Sequence, residues 1–144
     1  MTAVRKLASM EAAELALLVH ACLLLVRIRI ALWLLPWRRV LALLPQEVTP
    51  ATRFSVDRLE RAVRAASRIV PRATCLTQAL ALNHLLSRGG YASFVRIGVT
   101  NERGRFVAHA WVECGGTPLL SSAAEVAQYA QLLAWTPTQP DRFR

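Results

Sequence analysis

The sequence predicts an α+β fold: a helical N-terminal half, then a Cys-bearing helix packed on a small antiparallel sheet. Three observations predict it. The front of the chain carries Leu and Ala at helical spacing, and after Gly89-Gly90 the apolar period changes from helical to alternating. With 144 residues, the chain has room for one ordinary domain. Its 54% apolar and 19% charged residues, with a mean hydropathy of +0.32, exclude a disordered or low-complexity chain.

The elements follow in order. Glu11 to Leu44 reads as helix broken or kinked at Pro36. Its uncharged run, Leu15 to Arg27, is short of the roughly 20 apolar residues a bilayer span needs, so a core or partner-docking helix is expected, ahead of an interfacial or spanning one. Pro45 to Thr52 reads as a connection. Ser55 is the expected N-cap of a helix from Val56 to about Val70, with Leu59, Val63 and Ala66 inward and Arg58, Arg61, Arg64 and Arg68 on a solvated basic side. Pro71 halts that helix. Thr74-Cys75-Leu76-Thr77-Gln78 opens the next, which runs to about Ser87 and closes at Arg88-Gly89-Gly90. Tyr91 to Thr100 reads as a strand, Asn101 to Gly104 as a turn, Arg105 to Cys114 as a second strand, Gly115-Gly116 as a hairpin turn, and Thr117 to Ser121 as a short third strand. A final helix is expected from Ala123 to about Leu133, ahead of a Pro-rich tail. The expected organisation is a leucine-rich segment over 1–52, a core over 53–136 and a tail over 137–144.

Charge is uneven. Of the net +9, residues 1–72 hold +7 and residues 73–144 hold +2. A basic surface attracts nucleic acid, anionic lipid or acidic peptide, and charge alone does not choose among them. No helix-turn-helix, RNA-binding sheet signature or aromatic platform interleaved with cations is present, so nucleic acid is not an expected partner. Cys22, Cys75 and Cys114 form no even-numbered disulfide framework, which fits free thiols in a reducing cytoplasm, and the first residues lack the layout of a cleavable signal. The order Cys75, His84, His109, Cys114 has no familiar zinc spacing, so no metal and no cofactor are expected.

The residues that can carry chemistry are Cys75 and His109. A helix start offers unpaired backbone N–H groups and the positive end of the helix dipole, the setting in which a nucleophilic cysteine gains reactivity. His109, on the central strand of the hairpin sheet, can be held rigidly against a helix end as the partner base. Taken alone, a single Cys and a single His are more often packing residues. Trp111, two residues along the same strand face, either lines a cleft beside His109 or packs in the core. Cys22 and Cys114 read as packing residues, and His20 and His84 as satisfied structural histidines.

The local wording adds to this: Pro71-Arg72-Ala73-Thr74-Cys75-Leu76-Thr77-Gln78-Ala79-Leu80, then Arg88-Gly89-Gly90-Tyr91, then Phe106-Val107-Ala108-His109-Ala110-Trp111-Val112-Glu113. It resembles the transglutaminase-like cysteine proteases of lasso peptide biosynthesis, the stand-alone leader peptidases, from about Arg53 to Val126. The front segment with Pro36-Trp37-Arg38-Arg39 is also similar. The resemblance implies a transglutaminase/papain-like core and a bacterial, cytoplasmic hydrolase in which Cys75 attacks a peptide carbonyl. His109 helps to form the thiolate and then protonates the leaving amine. Hydrolysis of the thioester completes the separation of leader from core peptide. Backbone N–H groups at the helix start, that of Cys75 included, are the expected oxyanion donors. The implied partners are a precursor peptide, a separate winged-helix protein that binds its leader, and the lasso cyclase. Arg38 and Arg39 beside Trp37 are candidates for partner docking, with a membrane surface as the alternative.

The third member of a triad departs from that pattern, which has an acidic residue on the strand after the His strand. If Gly115-Gly116 is a two-residue turn, His109 faces Ser122, and a one-residue change moves Ser121 opposite. Glu113 shares the His109 face but lies about 13 Å away, and Glu125 reaches the ring only if the chain bends back. Two other functions compete with peptidase action: a non-catalytic assembly module that binds a partner or membrane surface, and acyl transfer to an amine.

Overall fold

A computed structural model describes residues 12–44 and 54–135, of which 132–135 by backbone alone. The expected connection at 45–52 and tail at 137–144 lie outside the described residues. Helix α1 (Ala12–Leu34) ends ahead of Pro36, whose ring disfavours helical backbone in the residue before it. Pro36 is extended and starts the short α2 (Trp37–Ala42). Ser55 caps α3 (Val56–Ile69) by accepting the Arg58 amide, and Thr74 caps α4 (Cys75–Arg88) by accepting the Thr77 amide.

Strands β1 (Ser93–Glu102), β2 (Arg105–Cys114) and β3 (Thr117–Leu119) form an antiparallel meander. Gly115 and Gly116 both have positive φ, 58° and 79°, as a two-residue hairpin turn with the right-handed strand twist requires. The pairs that follow, Cys114 with Thr117 through Val112 with Leu119, keep the expected register.

After β3 the chain departs from expectation. The helix expected over 123–133 is a single turn, α5 (Ala123–Val126), and the chain then extends into β4 (Ala130–Trp135). Strand β4 pairs antiparallel with β1, giving the sheet order β3-β2-β1-β4. The outer edge of β1 presents unpaired backbone groups, and pairing them outweighs the helical preference of a short Ala, Gln and Leu run whose type periodicity cannot decide.

The core lies between the helices and one face of the sheet. On β2, Ala110 and Val112 join Val95 and α4 residues such as Ala79, Leu80 and Leu82 in it. Helix α1 contributes Leu17, Leu18, Ala21, Leu24, Leu25 and Ile28 and packs against α3 and α4. By strand alternation His109, Trp111 and Glu113 lie on the opposite face, beside their cross-strand partners Gly98, Arg96 and Phe94. Asn83 ties the layers together, its amide donating to the Ser93 hydroxyl at 2.8 Å and the Ser93 carbonyl at 3.3 Å.

Candidate active site

Cys75 is the first residue of α4. The Thr77 amide goes to the Thr74 hydroxyl at 3.3 Å and the Gln78 amide to the Thr74 carbonyl at 3.0 Å. Among the described residues no backbone or cap group takes the amide of Cys75, so it faces the front of the helix as a free donor. The Gln78 side chain reaches back to the Ala73 carbonyl at 2.8 Å and fixes the loop that leads into the helix. Cys75 is half-buried, and all three cysteines are free. Burial pushes the Cys22 and Cys114 thiols up, so neither ionises readily at neutral pH.

The imidazole of His109 is seated by aromatic rings and one hydroxyl. Trp111 stacks with it at 6.0 Å between centroids, and Tyr129 lies 5.2 Å away. Gly98, directly across the strand pair, makes room for this cluster. A Cβ there would come within 2.8 Å of the Tyr129 Cβ and 3.0 Å of the Trp111 ring. His109 Nε2 is 2.5 Å from the Ser121 Oγ, and Ser121 is only 6% exposed.

Ser121 reaches the ring because the strand stops. Leu120 adopts φ 67°, which ends β3 and turns the chain. The Leu120 amide donates to Glu60 Oε1 at 2.8 Å, so a carboxylate on α3 holds the turn in place. Ser122, the alternative partner, is instead the N-cap of α5 and shares a capping box with Glu125. Glu113 bonds to Arg96 at 3.2 and 3.3 Å. Neither acid is spent on His109.

One expectation needs correction. Trp111, for which the sequence left open a cleft-lining and a packing role, is 2% exposed and forms the floor under His109, so the cleft-lining alternative is the one corrected. Packing against Tyr129 and the imidazole closes it off, and its indole N–H has no partner among the described residues. The histidines outside the site also differ from expectation. His20 is exposed, and His84 is half-buried with an unpartnered Nδ1. Burial, with Arg88, His20 and Arg27 nearby, pushes the His84 imidazole down to about 4.

The thiol of Cys75 makes no hydrogen bond to His109 among the described residues. Helix α4 packs on the face of β2 that carries Ala110 and Val112, whereas His109 projects from the other face, so only the chain lengths measured along the strand direction are similar for the two. From the Asn83–Ser93 tie, α4 runs back eight residues to Cys75, about 12 Å, and β1 runs forward five residues to Gly98, about 16 Å. Gly98 is the cross-strand partner of His109. Because β3 ends opposite Val112, β2 has no outer strand neighbour beside His109 among the described residues. Arg38 and Arg39 are exposed on α2 and form no ion pair among the described residues. Among the described residues, no group of three or more His, Cys, Asp and Glu is placed to hold a metal.

Sequence reasoning missed Glu60, Gln78 and Tyr129. Glu60 had a signal, as an acid interrupting an arginine-rich helix side. Tyr129 had none, because its segment reads as helix.

A family model described as the transglutaminase-like superfamily matches residues 22–134, which takes in α4, β2 and the Leu120 turn. No curated protein and no solved structure matches the chain. That superfamily includes cysteine proteases and transglutaminases, enzymes of one thiol acyl chemistry, and with well over half of its length matched, this chain belongs to it.

Proposed function

We propose that the chain is a cytoplasmic cysteine peptidase that cleaves the leader from a ribosomally made lasso precursor. The observation that carries the reading is the hydrogen bond between His109 Nε2 and Ser121 Oγ. With the Nε2–H donated to Ser121, the neutral ring keeps its lone pair on Nδ1, the tautomer a general base needs. Nδ1 takes the Cys75 proton, and the thiolate attacks the scissile carbonyl. The amide of Cys75 donates to the oxyanion. The imidazolium then protonates the departing amine of the core peptide, and water hydrolyses the leader thioester. The proton transfer requires thiol and imidazole, which the fold places toward opposite faces of β2, to come within hydrogen-bond reach at the edge of that strand when peptide binds.

In this reading a separate leader-binding protein delivers the precursor, and the lasso cyclase takes the product. Exposed Arg38 and Arg39 contact the often acidic leader. The Arg38→Glu, Arg39→Glu double variant then raises KM for leader-bearing precursor, more at low salt, without changing alkylation of Cys75.

The decisive experiment is mass spectrometry of precursor incubated with the chain and its leader-binding partner. Cys75→Ala abolishes cleavage and keeps the fold, and Cys22→Ala and Cys114→Ala cleave normally. Cleavage at the wild-type rate by Cys75→Ala would sink the reading. A product mass corresponding to an amide with an added amine, in place of the acid, would assign acyl transfer.

A further inference from the structure

Helix α1 has two apolar faces, and the described residues cover only one. Leu17, Ala21, Leu24, Leu25 and Ile28 are buried against α3 and α4. On the opposite side Leu15, Val19, Leu23, Val26, Ile30 and Trp33 are exposed, Leu23 by 60% and Trp33 by 84%. Their spacing of three and four residues draws one straight stripe, about 27 Å long at 1.5 Å per residue. At 3.6 residues per turn, Arg27 and Arg29 fall about 80° to either side of its centre. Neither makes an ion pair among the described residues.

From this arrangement we infer that α1 lies in the surface of an anionic lipid bilayer. The stripe enters the acyl boundary, and the two arginines reach the phosphates on either side. Charge selects this occupant. Between Leu15 and Leu44 the sequence holds Arg27, Arg29, Arg38 and Arg39 and no Asp or Glu. A second copy seated on the stripe would bring a matching set of arginines to the same seam with no carboxylate between them. Lipid phosphates supply the missing anions. Trp33, at the exposed end of the stripe, has the amphipathic ring favoured at headgroup depth. The helix is long and apolar enough to cross a membrane. Crossing would strip its buried face from α3 and α4, whereas lying in the plane keeps that face in the core.

The test is co-flotation of the full chain with vesicles of phosphatidylcholine alone or mixed with phosphatidylglycerol. The chain is expected to float with the anionic vesicles and to release as salt rises. Leu23→Asp with Ile30→Asp abolishes flotation without lowering the melting temperature. Arg27→Gln with Arg29→Gln reduces partitioning about 30-fold at low salt. Failure to bind anionic vesicles, or equal binding to both kinds, overturns the inference. So does a dimer in solution that Leu23→Asp dissociates, which assigns the stripe to a second copy. A marked loss of stability in Leu23→Asp also overturns it, since the chain itself would then cover the stripe. Flotation is indifferent to Cys75→Ala, so it stands or falls separately from the peptidase reading.

Discussion

The start of α4 and the turn at Leu120–Ser122 present their polar side chains by opposite means. At Cys75 everything needed is within a few residues: Thr74 caps, Gln78 braces the preceding loop, and helix geometry leaves the first amide free. At Ser121 the backbone is held from far away in the chain. Leu120 sits in the left-handed region, and the carboxylate that takes its amide comes from Glu60, sixty residues earlier. In the proposed peptidase, the nucleophile is therefore supported by local rules. The group that orients its base depends on how two layers of the fold meet.

The largest expected effect that sharpens this contrast lies at the two adjacent serines. Ser121→Ala removes the Nε2 partner and is expected to lower kcat on the order of tenfold, since a neutral hydroxyl orients the ring without stabilising its charge. Ser122→Ala loses an N-cap and is expected to cost about 1 kcal/mol of stability with little change in rate. Ser121→Asp keeps or raises the rate by adding a carboxylate to the imidazolium. Equal rates for all three variants would mean that something other than Ser121 orients His109.

The same contrast explains what could be read from the sequence. The N-caps Ser55 and Thr74, the break at Pro36 and the Gly115-Gly116 turn are local features, and each is found where its residues imply. The strand register follows from the turn and holds as far as Leu119. It then stops, because a left-handed Leu120 cannot be inferred without seeing Glu60 beside it. Ser122 was therefore as good a candidate for His109 as Ser121. Strand β4 was illegible for a related reason: what makes residues 130–135 extend is the open edge of β1, a feature of the assembled sheet. Tyr129 follows from β4, and with it the room that Gly98 leaves.

A smaller effect is expected when the long-range support itself is cut. Glu60→Ala leaves the partly buried Leu120 amide without its acceptor, which costs about 1–3 kcal/mol. The loosened turn no longer holds Ser121 against the ring, so kcat should fall severalfold while KM stays put. Glu60→Gln restores an acceptor and should recover most of the rate. Glu60 acts through Ser121, so its effect on kcat should vanish in a Ser121→Ala background. Additive losses would show that Glu60 acts only on stability.

The smallest effect separates the acid behaviour of the fold from that of the site. His84 is on α4 with Cys75, nine residues on and away from the reaction, its imidazole pushed down by burial to about 4 from an ordinary 6.5. The unfolded chain accepts a proton there below pH 6.5, and the folded chain refuses it until about 4. The unfolded state therefore binds more protons across that window, and stability falls as pH drops through it. His84→Leu removes the titrating group and fills the half-buried position with apolar volume, so its melting temperature should decline less between pH 6.5 and about 4 than that of the wild type. Thermal unfolding followed by circular dichroism across that range checks it, with cleavage assayed at each pH. If the acid limb of cleavage stays in place while the stability curve flattens, the limb is not set by the unfolding that His84 governs. If both move together, activity in acid is limited by unfolding of α4, and the helix start is no more independent of the fold than the turn at Leu120.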